Sequence, residues 1–311
     1  MAKKELRIFF TDMWGHGSYQ FNPCDNYFSD LLSQVFTLVI DPVNPEILIY
    51  SCFGSNHTKY HCFKIFFSGE NIRSGIPGAC IDPSESRCNL SMSKYPTSST
   101  NYYLPLWVLF VNWFSKYQPR PLPSNPTYSL SISDLTLSAR QRSLPGFEKR
   151  RPIMFINNNV IKDRILLFLR LQERIPIDSY GKLFNNMSQP LRGSELDKHL
   201  RLHEYRCTVA LENSLSPGYI TEKIIQPFAA GCIPIYRGGL DLNTNTFNER
   251  SMILYDRYSS IDELVDEVVS VSSDQTKWNE YSDQPLFKNN IIPEAYFPSS
   301  ILDWLIPRLP I

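Results

Sequence analysis

The chain has 311 residues, 42% hydrophobic and 20% charged, with 31 basic and 31 acidic side chains and a formal net charge of zero. This composition fits one large or two ordinary globular domains and excludes intrinsic disorder. Balanced charge removes the electrostatic reason to expect nucleic acid or an anionic membrane as the main partner.

Aromatics make up 13% of the chain, which suits stacking on sugars or bases and suits core packing equally. The longest apolar candidate for a membrane span, residues 104–114, is broken by Pro105 and Asn112, well short of the ~18 apolar residues a span needs. Lys3 and Lys4 precede only Leu6-Arg7-Ile8-Phe9-Phe10, too short for a signal-peptide core. The expectation is a cytoplasmic protein without a membrane span; a Golgi location would require an anchor ahead of this sequence. Seven cysteines without a C-x-x-C pair read as free, mostly buried thiols.

In chain order, residues 7–10, 47–50 and 63–67 read as strands and 26–34 as a helix. Ser68-Gly69-Glu70-Asn71 follows an apolar strand, so Glu70 would project from a strand end after a glycine turn. A carboxylate there could act as general base, although a plain glycine-containing turn explains the same residues. Residues 84–100, polar and serine-rich, read as a surface excursion, and 119–126 is proline-rich. The basic run over 140–151 reads as a solvated interdomain linker, which places a boundary near residue 150.

Beyond it, strands at 153–156, 175–178, 208–211, 233–236 and 252–255 alternate with helices at 162–174, 194–206, from Thr221 to Gly231, and after Ser260. Ser260 and Glu263 form a capping box ahead of Ile261, Leu264, Val265, Val268 and Val269 on one face. Such alternation predicts a doubly wound parallel sheet, which binds ligands at the carboxyl ends of its strands. Pro227, inside the helix from Thr221, predicts a kink.

The densest polar constellation is Glu212-Asn213-Ser214, then Pro217-Gly218 and Tyr219-Ile220-Thr221-Glu222-Lys223. It ends a strand and opens a helix, where free N–H groups favour a phosphate; Lys223 adds a charge and Glu222 can accept from ribose hydroxyls. An ordinary charged first helical turn is the competing account. Arg164, near the start of a helix, could clamp a diphosphate or simply be solvated. His199 and His203, four residues apart, have a zinc-capable spacing, but no glutamate adjoins the first. They read as solvated histidines on a helix face.

Ala210-Leu211-Glu212-Asn213-Ser214, Gly218-Tyr219-Ile220-Thr221-Glu222-Lys223-Ile224 and Ala230-Gly231-Cys232-Ile233-Pro234-Ile235-Tyr236 together resemble the signature of the alpha-1,3/1,4-fucosyltransferases, glycosyltransferase family ten. Lys64-Ile65-Phe66-Phe67-Ser68-Gly69-Glu70-Asn71-Ile72-Arg73 is similar to that family's N-domain motif, and Leu104-Pro105-Leu106-Trp107 to a further element. The resemblance implies a GT-B fold, an α/β architecture of two Rossmann-like doubly wound domains facing a cleft. On this reading residues 1–150 bind the acceptor, 151–290 bind GDP-fucose, and 291–311 return to the first domain.

It further implies an inverting enzyme that moves L-fucose from GDP-fucose to an acceptor glycan, alpha-1,3 to GlcNAc, with Glu70 as base. Arg164, Asn158, Asn213, Tyr219, Glu222 and Lys223 fall on donor-binding positions. Trp14 is a candidate for stacking on the acceptor sugar or for the core. The sequence holds no D-x-D, so the expectation is no obligatory metal or cofactor, with protein cations stabilising the departing GDP. Alternatives are another nucleotide-sugar donor in the same fold, a non-catalytic glycan-binding relative, and a nucleic-acid binder using the basic run, which neutral charge disfavours. The acceptor is open among Lewis-type N-acetyllactosamine, an N-glycan core and a peptide-linked glycan.

Overall fold

The computed structural model describes residues 3–15, 21–71, 88–114, 130–188, 191, 195–240 and 245–311. They divide into two compact units. Unit 1 takes Met1–Ser129, Ser216–Tyr219 and Pro293–Ile311; unit 2 takes Leu130–Leu215 and Ile220–Ile292.

Unit 1 is built on strands β1 (Glu5–Thr11), β2 (Thr37–Ile40), β3 (Ile47–Tyr50), β4 (Phe63–Phe67), β5 (Leu90–Ser93) and β6 (Asn101–Tyr103). They form one parallel sheet in the order β2-β1-β3-β4-β5-β6. Central strands of such sheets are covered on both faces and read as continuous apolar runs; all four residues of β3 are buried. The first helix, α1 (Tyr27–Ser33), starts where Asn26 Oδ1 accepts from the N–H groups of Phe28 and Ser29, both at 3.0 Å.

The serine-rich stretch is not wholly a surface excursion. Within it Leu90–Ser93 is a fully buried strand, tolerated because Ser91 Oγ and Ser93 Oγ donate to Asn101 Oδ1 at 2.7 and 2.8 Å. Residues 84–87, the proline-rich stretch and Cys80 lie outside the described residues.

Unit 2 holds β7 (Arg151–Phe155), β8 (Ile177–Ser179), β9 (Tyr205–Leu211), β10 (Ile233–Arg237) and β11 (Ile253–Leu254), parallel throughout in the order β11-β10-β9-β7-β8. Its helices are α2 (Ile132–Thr136), α3 (Lys162–Gln172), α4 (Glu195–Leu202), α5 (Glu222–Ala229), α6 (Ile261–Ser273) and α7 (Gln275–Ser282). Leu264, Val265, Val268 and Val271 of α6 pack with Leu167 and Leu171 of α3 and with Ile153 and Ile235 of the sheet. At the start of α6, Ser260 Oγ accepts from Glu263 N at 3.2 Å, and the Glu263 carboxylate accepts from Ser259 N at 3.0 Å and Ser259 Oγ at 2.7 Å.

Three expectations shift. The helix read as 194–206 stops at Leu202, because Tyr205 is already paired with Arg151 in the sheet; ladder formation overrides local propensity. Pro227 lies not in the middle of α5 but in its last turn, two residues before the helix closes, and Gly231 at φ 68° turns the chain away.

The basic run is no solvated linker: residues 130–149 belong to unit 2, and Arg150 is 3% exposed. Arg150 donates to the carbonyls of Ala230 and Tyr205, both at 2.9 Å, while Arg142 donates to those of Phe228 (2.9 Å) and Ala229. The two guanidinium groups thereby satisfy carbonyls that the end of α5 leaves without helical donors.

The last helix, α8 (Pro298–Leu305), belongs to unit 1, where Trp304 Nε1 donates to Ser98 O at 3.0 Å and its ring meets Tyr102. Among the described residues no helix is long and apolar enough to cross a membrane. Among the described residues Cys24, Cys62, Cys207 and Cys232 are free thiols; Cys52, Cys207 and Cys232 are buried, whereas Cys24 is exposed.

Candidate donor-binding site

Strand β9 ends at Leu211, and the next residue, Glu212, extends the ladder through its N–H to Arg237 O at 2.8 Å. The chain leaves through Asn213, turns at Gly218 (φ 73°), and returns at Thr221 to start α5. The Glu212 side chain is fully buried and fixes this return. It accepts from Thr221 N at 2.8 Å, from Thr221 Oγ1 at 2.8 and 2.9 Å, and from Tyr236 Oη at 3.3 Å. Such a buried carboxylate persists only with its acceptor sites filled.

Lys223 Nζ stands 3.2 Å from Glu212 Oε2 and 3.3 Å from Glu222 Oε1, and Lys198 Nζ of α4 stands 3.2 Å from the same Glu222 oxygen. Burial alone would raise the Glu222 pKa. The ammonium groups of Lys223 and Lys198, with a backbone N–H, overcome it and hold the carboxyl well below the usual range. Glu222 is therefore an acceptor-only group. Arg164, 6% exposed, is not solvated: its Nε donates to Leu211 O at 3.1 Å, and Nη2 reaches the same carbonyl and Asn213 Oδ1 (2.9 Å).

Asn158, Arg164, Asn213, Glu222 and Lys223 all line one cavity of about 220 Å³ in unit 2, at the carboxyl end of β9. Lys198, which sequence reasoning missed, lines it too. No spacing rule marks it, since only the packing of α4 beside α5 aims it inward. Asn158 is exposed, its Oδ1 accepting from Lys182 N at 3.0 Å. Tyr219 is not among the lining residues; it is buried and grouped with unit 1.

Glu70 lies in unit 1, half-buried in the turn after β4, where its N–H donates to Ser68 Oγ at 3.2 Å. Gly69 is required here by crowding rather than by a left-handed backbone: a β-carbon would come within 3.0 Å of the Leu106 side chain. Trp14, half-buried, meets Phe21 and Phe67 edge-on at 5.4 and 5.9 Å between ring centres.

His199 and His203 are not solvated. Their rings pack at 5.0 Å, and burial, with the neighbouring His203, pushes the His199 pKa down to about 4. Among the described residues no group of three or more His, Cys, Asp or Glu is gathered to hold a metal ion.

Residues 148–284 match the model of the glycosyltransferase family 10 (fucosyltransferase) C-terminal domain, and residues 8–110 match that of the alpha-(1,3)-fucosyltransferase FucT N-terminal domain. Alpha-(1,3)-fucosyltransferase B of Drosophila melanogaster is 28% identical over 198 residues, 59% of this chain and 44% of the relative. GDP-fucose protein O-fucosyltransferase 3 of Xenopus laevis is 25% identical over 188 residues, 57% of this chain and 40% of the relative. The aligned stretches thus span less than half the length of these relatives.

Among solved structures, an alpha1,3-fucosyltransferase with GDP-fucose superposes with a TM-score of 0.71 at 19% identity, covering 100% of this chain and 92% of that one. An alpha-glucosyltransferase in complex with UDP and DNA follows at 0.53 and 9%, covering 98% and 100%. The fold is GT-B, with two Rossmann-like units. With a family model matched in each half, the chain belongs to glycosyltransferase family 10.

Proposed function

We propose that this chain is an inverting fucosyltransferase that moves L-fucose from GDP-fucose to a hydroxyl of an acceptor glycan, alpha-1,3 to N-acetylglucosamine. The observation that carries the reading is the cavity at the end of β9. There Lys198 and Lys223 hold the carboxylate of Glu222 at the start of α5, and Arg164, bonded to Leu211 O and Asn213, lines the same cavity. A departing GDP gains negative charge as its bond to the anomeric carbon breaks. Cations and helix N–H groups already held in place stabilise that charge without reorganising. Glu222, ionised, accepts from ribose hydroxyls, and Asn213 orients Arg164. Asn158 and Tyr219 are assigned to donor contacts on the strength of the family motif.

Glu70 is assigned as the base. It takes the proton of the acceptor hydroxyl while that oxygen attacks the anomeric carbon opposite the departing diphosphate, so the β-linked donor gives an α-linked product. In this reading the protein's own cations meet the leaving group and no metal ion or other cofactor is obligatory; full activity in EDTA supports that part and total loss overturns it. The test of the whole is Glu70→Gln. Turnover is expected to fall by about 10²- to 10⁴-fold while GDP affinity stays at the wild-type value. Wild-type turnover in the variant would remove Glu70 from the mechanism.

A second reading of the acceptor is a protein hydroxyl. It is favoured by the similarity to the GDP-fucose protein O-fucosyltransferase 3 sequences of Xenopus laevis and Homo sapiens. Offering labelled GDP-fucose with either free glycans or an unglycosylated Ser/Thr-containing polypeptide separates the two by where the label goes.

A further inference from the structure

We propose that Lys94 is a positioning residue for the proton transfer assigned to Glu70; the inference rests on that assignment. Lys94 follows β5, next to β4 in the sheet, and is only 7% exposed. Burying an ammonium is costly, so it persists where its partners hold it firmly. Its Nζ donates to Asn71 Oδ1 at 2.7 Å and to Ser216 Oγ, and lies 5.0 Å from the centre of the Tyr95 ring.

Both bonded partners bear on the site. Asn71 is the residue directly after Glu70, so the bond restrains the turn carrying the carboxylate. Ser216 opens the short segment Ser216–Tyr219, which in sequence joins Asn213 to the start of α5 but packs with unit 1. Tyr103 Oη ties the same segment a second time, donating to Gly218 O at 3.1 Å. One buried ammonium therefore knots the base-bearing turn to the segment that leads into the donor helix. A base misplaced by an ångström loses most of its advantage. The bond lengths around Lys94 are thus part of the proton transfer, although Lys94 itself is not assigned any contact with substrate.

The test compares Lys94→Met, Ser216→Ala and the double variant in steady-state transfer by the whole chain, with GDP-fucose as donor and an acceptor that the wild type uses. Lys94→Met is expected to lower kcat by about 10- to 100-fold, with the KM for GDP-fucose and the affinity for GDP changed less than about threefold. Ser216→Ala should lose less, in the same direction. The double variant should be no worse than Lys94→Met, because the two act through one bond.

A wild-type kcat in Lys94→Met, a loss carried wholly by KM, or independent, multiplying losses in the double variant would each overturn the clamp. If Lys94→Met does not fold, Ser216→Ala decides alone, and an unchanged kcat there overturns the proposal. Glu70→Gln assayed alongside keeps the two ideas apart. Full turnover in that variant defeats the base assignment and the clamp with it. An inactive Glu70→Gln beside a fully active Lys94→Met defeats the clamp alone.

Discussion

The two sheets are alike in topology and differ in how their carboxyl ends are finished. In unit 2 the end of β9 runs into a buried polar network: Glu212 holds Thr221, Tyr236 and Lys223, and Glu222 holds Lys198 and Lys223. In unit 1 the end of β4 runs into a glycine turn whose carboxylate is half-buried. One site holds its charges in fixed positions before any ligand arrives, as stabilising a diphosphate requires. The other carries a half-buried carboxylate on a turn whose next residue, Asn71, is held by the buried Lys94. The Glu212 side chain is fully buried within its network, so unit 2 depends on it for stability more than unit 1 depends on the Glu70 carboxylate.

That dependence can be broken on purpose. Glu212→Ala leaves Lys223 and the Thr221 N–H facing an empty buried position and is expected to cost about 3–5 kcal/mol in urea unfolding. Glu70→Gln should change stability by no more than about 0.5 kcal/mol. Equal losses in the two variants would erase the contrast.

Acid should also act on unit 2 through His199, half-buried beside His203 and within the fields of Lys198, Arg142 and Asp134. Its folded pKa, about 4, lies below its ordinary value of 6.5. Between those values the unfolded chain binds a proton that the folded one refuses, so stability falls as pH drops from about 6.5 towards 4. The full extent is about 3 kcal/mol. Urea midpoints at several pH values should show this slope, and His199→Leu should flatten it.

A further effect on unit 2 concerns the wall behind Glu212. A β-carbon at Gly238 would run into Tyr236 Oη and come within 2.9 Å of Glu212 Cγ. Gly238→Ala is therefore expected to cost about 1–3 kcal/mol and to weaken GDP binding. An unaffected melting temperature would mean that this wall yields easily.

What could be read in the sequence follows the same physics. Strands β3, β4, β7 and β10 are apolar runs bounded by turn residues, and α5 announces its start with Thr221 and its end with Gly231. Five of the residues singled out for donor binding line one cavity because they sit on two strand–loop–helix units, β7–α3 and β9–α5, whose strands pair side by side in the sheet.

The features that escaped depend on partners distant in sequence. Arg150 is buried by carbonyls 55 and 80 residues away, so from its neighbours alone it looked like part of a basic linker. Ser91 and Ser93 are satisfied by Asn101, which lets a polar-looking segment lie inside a sheet. Lys198 faces the cavity because α4 packs beside α5. Glu212 stood in the motif, yet its part as the buried anchor of Thr221 and Lys223 needed the fold to bring Tyr236 against it.

The central claim is that the cavity at the end of β9 receives the nucleotide diphosphate, and calorimetric titration with GDP measures it most directly. The account predicts saturable GDP binding by the wild-type chain and affinity lower by about 10- to 100-fold in Lys223→Met, the loss of one charge-assisted hydrogen bond. Equal GDP affinity in the two proteins, or none in the wild type, would contradict it.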